Sequence, residues 1–171
     1  KLDTVVADYV SLIGKGHQLA RNYGLWVSAS PSMAWEGFVA QVMPSVYQQD
    51  NAFWDHPVDL DRWYHLVATH DGNTLKLYVD GIERASTPAA YSPPIVSDPL
   101  TLGGGIYHSN LHGYLDNVAI YDRVLTIEEI NPAAPVPEPA TMLLLGSGLV
   151  GFAGFRKRFR KGQSLSKGST I

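Results

Sequence analysis

From Asp8 to Tyr121 apolar and polar residues tend to change places every second position. That is the period of a chain whose successive side chains fall on opposite faces of a sheet. No amphipathic helix of useful length interrupts it. Tyr9–Ile13 predicts a first strand with Gly14-Lys15-Gly16 as its turn, and Gly24–Ala29 a second, closed by Pro31. Glu36–Val42 alternates weakly as a third, ahead of a loop from Pro44 to Asp61. The strongest pattern comes next. Trp63–Thr69 alternates, His70-Asp71-Gly72-Asn73 turns, Leu75–Val79 alternates, Asp80-Gly81 turns and Ile82–Ser86 returns. Asp-Gly pairs supply the positive backbone dihedrals of tight hairpins, so these segments predict a three-stranded antiparallel meander. Thr87–Pro99 reads as a proline-rich loop, Leu100–Leu102 as a short strand before Gly103-Gly104-Gly105, and Gly113–Tyr121 (GYLDNVAIY) as the final strand. Thr126-Ile127-Glu128-Glu129 has the form of a capping box, which predicts one helical turn ending before Pro132. Many short strands separated by turns imply an all-β antiparallel sandwich or jelly roll.

Past the linker that opens at Asn131 the period changes. Pro137-Glu138-Pro139 cannot join a helix interior and separates the body from an uncharged run, Ala140–Phe155. As a helix that run spans about 24 Å at about 1.5 Å per residue, short of the roughly 30 Å hydrocarbon core unless the stems of Arg156 and Arg158 extend it. Arg156, Lys157, Arg158, Arg160 and Lys161 follow. Moving each across a bilayer costs about 2.5–3.5 kcal/mol, so the expected orientation keeps this cluster in the cytoplasm and everything before Pro137 outside. The expected organisation is therefore a body over 1–131, a linker over 132–139, a transmembrane helix over 140–155 and a basic cytoplasmic tail over 156–171.

Charge sharpens the division. Residues 1–138 hold seven basic and all sixteen acidic side chains, a net −9, which excludes a nucleic-acid partner and suits a surface protein. There is no cysteine, so the fold is held by its core, or by a metal, and not by disulfides. The sequence starts at Lys1 with no charged-then-apolar leader, and the signal peptide that export requires is expected upstream.

Two resemblances are carried by these residues. Val136–Lys161, with Pro137-Glu138-Pro139, the apolar run and the Arg-rich end in that order, resembles the PEP-CTERM sorting signal of exopolysaccharide-producing Gram-negative bacteria. That resemblance implies insertion in the inner membrane and recognition by an exosortase, a membrane-embedded processing enzyme. It further implies removal of the tail near the motif and delivery to the cell surface or matrix. WYHLVATHDGNTLKLYVDGIERAS resembles the central hairpin of laminin G-like, concanavalin A-like jelly rolls. LTLGG at 100–104, GYLDNVAIYDRVLTIEEI at 113–130 and the early pair LIGKG and NYGLWV are similar to other strands of that fold. The expected first strand, with its Phe-Asp-Gly-like entry, has no counterpart here.

Candidate chemistry is sparse. The jelly-roll resemblance implies that Asp116, with backbone oxygens, helps hold a structural calcium ion, an oxygen-ligated hard cation; an exposed strand aspartate is the plain alternative. Trp54, Tyr91 and Tyr107 fall in predicted loops, where aromatic rings could stack on sugars. Trp26, Trp35 and Trp63 are expected to point inward, and His65 to sit hydrogen-bonded on the central strand. His108 and His112 are four apart, but HSNLH lies in a glycine-rich loop and lacks the Glu of a zinc-protease helix. The Glu-x-Asp spacing of jelly-roll glycoside hydrolases occurs nowhere in the chain, so an enzyme is not expected. The reading that results is an exported surface or matrix protein with a non-catalytic carbohydrate or adhesion module. The alternatives are a glycan hydrolase or its accessory domain on the same fold, and a purely structural matrix component.

Overall fold

A computed structural model describes residues 1–4, 9–17, 19–28, 36–104 and 109–131. The chain divides into two units, Lys1–Ala134 and Pro135–Ile171. Among the described residues the first unit is built from eight strands: β1 (Val10–His17), β2 (Ala20–Ser28), β3 (Gly37–Ser45), β4 (Gln48–Asp55), β5 (Leu66–His70), β6 (Thr74–Val79), β7 (Ile82–Pro88) and β8 (Leu100–Leu102). The one described helix, α1 (Ile127–Ile130), is a single turn. Five strands form an antiparallel sheet in the order β4-β3-β2-β1-β8, and three form a second in the order β5-β6-β7. Alternation decides what each presents to the other. Leu12, Leu25, Val27, Phe38, Ala40, Val42 and Ala52 from the large sheet meet Leu75, Leu77 and Val79 from the small one in a single core. This is the jelly-roll β-sandwich expected from the strand pattern.

The predicted meander is present, and its second turn is explained by its backbone. Asp80 and Gly81 have φ of 54° and 79°, the left-handed pair of a type I′ hairpin. The capping box is present too: Glu129 N–H donates to Thr126 Oγ1 at 3.4 Å, and Thr126 N–H donates to Glu129 Oε2 at 2.9 Å.

Four expectations are corrected. Gly14-Lys15-Gly16 is no turn but part of β1, with a register shift at Lys15/Gly16 where Gly16 takes φ 113°. The expected loop from Pro44 to Asp61 contains β4, paired along β3 from Gly37↔Asp55 to Ser45↔Gln48. Trp63–His65 precede β5 instead of belonging to it, and His65 is exposed. Gly113–Tyr121 is not a strand. Among the described residues its alternation finds one bridge, Leu2↔Gly113, with Tyr114 N–H donating to Lys1 O. Asn117 then breaks the extended path at φ 51°, its N–H held by Asp116 Oδ1 at 2.8 Å. A strand needs a neighbour for its backbone groups, and among the described residues this segment has one only at its first residues.

Among the described residues no helix is long and apolar enough to cross a membrane. The run 140–155, Pro137, Glu138, Pro139 and the cluster Arg156, Lys157, Arg158, Arg160 and Lys161 lie outside the described residues.

Candidate functional site

The residues singled out from sequence do not assemble into one site. Trp54 stands on β4, not in a loop, and is half-buried. Its ring stacks on His56 (centroids 4.8 Å apart, 15° between planes) and on Phe38 (6.0 Å, 11°), with the Arg84 guanidinium 5.3 Å from its centroid. Its neighbours are therefore protein groups, and it fringes the sandwich core. Tyr91 lies in the proline-rich loop as expected, where its N–H donates to Asp50 Oδ2 at 2.9 Å. That bond, with Ala90 N–H to Asp50 Oδ1, ties the loop to β4 through a buried carboxylate. Tyr107, Trp35 and His108 lie outside the described residues. Trp63 is not inward but 54 % exposed. Asp116 is exposed and off any strand, and its Oδ1 is engaged by the Asn117 amide. Among the described residues no three His, Asp or Glu side chains gather where they could hold a metal ion, so the calcium expectation gains nothing from this arrangement.

A different set of residues does converge, on the face of the large sheet turned away from the core. Because β3 buries Phe38, Ala40 and Val42 inward, Val39, Gln41 and Met43 face the other way. Pairing places Asn51 opposite Gln41 and Phe53 opposite Val39 on β4, and Gly24 opposite Gln41 and Trp26 opposite Val39 on β2. The glycine has a reason. A Cβ at Gly24 would sit 2.4 Å from Trp26 Nε1, so only glycine lets the indole lie along the strand. Trp26 is 3 % exposed, and the Arg21 guanidinium stacks 4.5 Å from its ring centroid. Trp26 is thus buried as expected, but on the side opposite the sandwich core.

From Arg21 a polar ladder runs outward across three strands. Arg21 Nη1 donates to Gln41 Oε1 and touches Met43 Sδ at 3.9 Å. Gln41 Nε2 donates to Asn51 Oδ1 at 2.8 Å and to Gln49 Oε1 at 3.1 Å. Burial pulls the Arg21 pKa below its ordinary value, yet a guanidinium keeps its proton in a protein. A buried cation is costly unless polar partners and an aromatic face receive it, and here both do. The ladder ends on edge strand β4, where Gln49 is exposed, Asn51 half-buried and Phe53 44 % exposed. Amides flanked by an exposed ring along one strand form a surface that can hydrogen-bond hydroxyl or carbonyl oxygens and pack against C–H faces.

Neither the ladder residues nor Phe53 stand out from sequence alone. The available signal is the period-two pattern of Gln49, Asn51 and Phe53 against Asp50, Ala52 and Trp54, which the many polar residues of Gln48–Asp55 mask.

Residues 1–131 match the family described as the concanavalin A-like lectin/glucanases superfamily, and residues 135–158 match the PEP-CTERM protein-sorting motif. A stretch of 76 residues is 30 % identical to part of pappalysin-1 from Mus musculus and 32 % identical to part of pappalysin-1 from Homo sapiens. It covers 40 % of this chain but only 5 % and 4 % of those proteins, so the chain spans a small fraction of the relatives it matches. No solved structure matches the chain.

Proposed function

The chain belongs to the concanavalin A-like lectin/glucanases superfamily, and from that membership, joined to a PEP-CTERM sorting signal, we propose a non-catalytic, glycan-binding module of the bacterial surface or matrix. The sorting signal marks an exported protein of the Gram-negative envelope and implies processing by an exosortase-type system. In this reading the uncharged run 140–155 is held in the inner membrane before processing, with the basic cluster in the cytoplasm. A reporter fused after Ile171 that is active only in the periplasm would refute that orientation.

The observation that carries the binding assignment is the ladder Arg21–Gln41–Asn51/Gln49 beside exposed Phe53. Surface amides ordered by a buried cation are more than a solvated strand face requires, since solvent alone would satisfy them. Amides meet sugar oxygens and an exposed ring meets the C–H face of a pyranose, so an extracellular polysaccharide fits the strip. The non-catalytic assignment is supported by the absence of any Glu-x-Asp spacing in the sequence.

The test is a glycan array probed with the full chain in detergent and with a Gln49→Ala/Asn51→Ala variant. Retained polysaccharide on the parent and loss on the variant is the expected pattern. Equal signals from both would move the site elsewhere, and no signal from either would end the assignment.

A further inference from the structure

The ladder has a direction, and the direction specifies a ligand. A guanidinium can only donate. Arg21 therefore fixes Gln41 with Oε1 toward it and Nε2 away. Gln41 Nε2 then spends its hydrogens on Asn51 Oδ1 and Gln49 Oε1. Each amide accepts from the inside and is left with N–H groups on its outer side. The Nδ2 hydrogens of Asn51 and the Nε2 hydrogens of Gln49 have no acceptor among the described residues, while each carbonyl oxygen has already accepted one bond, so the outer side of the strip is richer in donors than in acceptors. Hydrogen bonds in series polarise one another, and the buried charge at the inner end strengthens the outer donors. The next carboxylate along the strand, Asp55, lies beyond Phe53 and accepts the Glu36 N–H at 3.1 Å.

Two constraints bear on what binds. The unmatched N–H groups call for acceptor oxygens on the ligand, a demand that carbonyl and carboxylate meet more fully than hydroxyl. It must also approach residues 1–138, whose net charge is −9, and a polyanion approaching that surface meets like-charge repulsion. A polycation has the field in its favour but meets outward N–H donors on Asn51 and Gln49, with the next carboxylate along the strand, Asp55, beyond Phe53. The surplus of donors on the strip favours an uncharged glycan rich in carbonyl acceptors. Resting on the reading that this face binds glycan, we propose that its ligand is a neutral, acetylated polysaccharide, with acetyl carbonyls on the Asn51 and Gln49 amide groups and the methyl or ring C–H face against Phe53.

Acetylated glucomannan and the same polymer after mild alkaline deacetylation are both neutral, so they isolate the acetyl group. Titration of the full chain in detergent with each, and with polygalacturonate as the polyanion, reads the preference. The expected result is about tenfold tighter binding of the acetylated polymer, since a site built of donors discriminates against an analogue without the matching acceptor. Asn51→Asp and Gln49→Glu keep an oxygen for Gln41 Nε2 but replace the outer donors with acceptors, at nearly unchanged size. Each should erase the acetyl preference while leaving the thermal transition of the protein in place. Equal affinity for acetylated and deacetylated polymer, or tighter binding of polygalacturonate, overturns the ligand class and leaves glycan binding standing. Absence of binding to all three, with an array that is also blank, overturns both.

Discussion

In the three-stranded sheet Leu75, Leu77 and Val79 of β6 face the core while Lys76 and Tyr78 face away, and the far side closes on itself locally. Lys76 Nζ and the Tyr78 hydroxyl both donate to Glu83 Oε2, at 2.9 and 3.3 Å. An ion pair at such an exposed site contributes little to stability, since solvent screens it. In the five-stranded sheet the far face is built. It holds a buried indole and a buried guanidinium at Trp26 and Arg21, a glycine that makes room for the ring, and an amide ladder leading to the edge. Both sheets contribute to the same core, so the difference between their outer faces is not needed for folding the sandwich. Structure that exceeds what the core requires is where function is to be sought.

Two substitutions test that contrast, one in each sheet. Leu77 is fully buried at the middle of β6, and Leu77→Ala should cost about 2–5 kcal/mol of stability through lost burial and the cavity left behind, read by urea denaturation. Gly24→Ala probes the far face of the large sheet, where the added methyl must displace the Trp26 indole. Overpacking of this kind costs about 1–3 kcal/mol, and it should come with a changed near-ultraviolet circular dichroism signal from the tryptophan. An unaltered transition and unaltered spectrum would mean the indole is not seated on Gly24, and the two outer faces would then be alike.

The contrast also explains what can be read from sequence. The small sheet is legible because its information is local: alternation within short strands, and Asp80-Gly81 with the dihedrals such a pair favours. The α1 turn is legible for the same reason, since Thr126 and Glu129 lie three apart and cap each other. The large sheet hides its logic in pairings between distant segments. β4 reads as a loop because Gln49 and Asn51 face away from the core and buried Asp50 faces the loop it anchors, leaving few apolar residues to betray a strand. Gly14 and Gly16 read as a turn because glycine usually marks one, whereas here both are paired within β1, Gly14 with Thr101 and Gly24, Gly16 with Arg21. Gly113–Tyr121 misleads in the opposite sense, for its alternation is real, yet among the described residues it finds a partner only in Lys1–Asp3. The candidate site is least legible of all, because its meaning lies in which amide faces Arg21 across three strands.

The smallest effect falls outside both sheets and serves as their control. At α1 the Arg123 guanidinium forks onto Glu129, Nη1 to Oε2 and Nη2 to Oε1, each at 2.7 Å, and Thr126 N–H adds a third donor. The Arg123 bonds first, and the Thr126 amide second, hold the Glu129 carboxyl down from its ordinary 4.5 to about 2. A carboxyl whose folded value is depressed stabilises the fold above its unfolded value, and that contribution is lost as pH falls from 4.5 through about 2. Carbon-13 titration of the Glu129 carboxyl should therefore give a midpoint near 2 in the native chain. Arg123→Ala should move it up toward 4.5, and added salt should move it the same way because the fork is exposed. Neither change should alter the Trp26 spectrum, since Arg123 and Glu129 belong to neither sheet. A native midpoint already at 4.5 would mean that Arg123 is not engaged, and the helical turn would then rest on Thr126 alone.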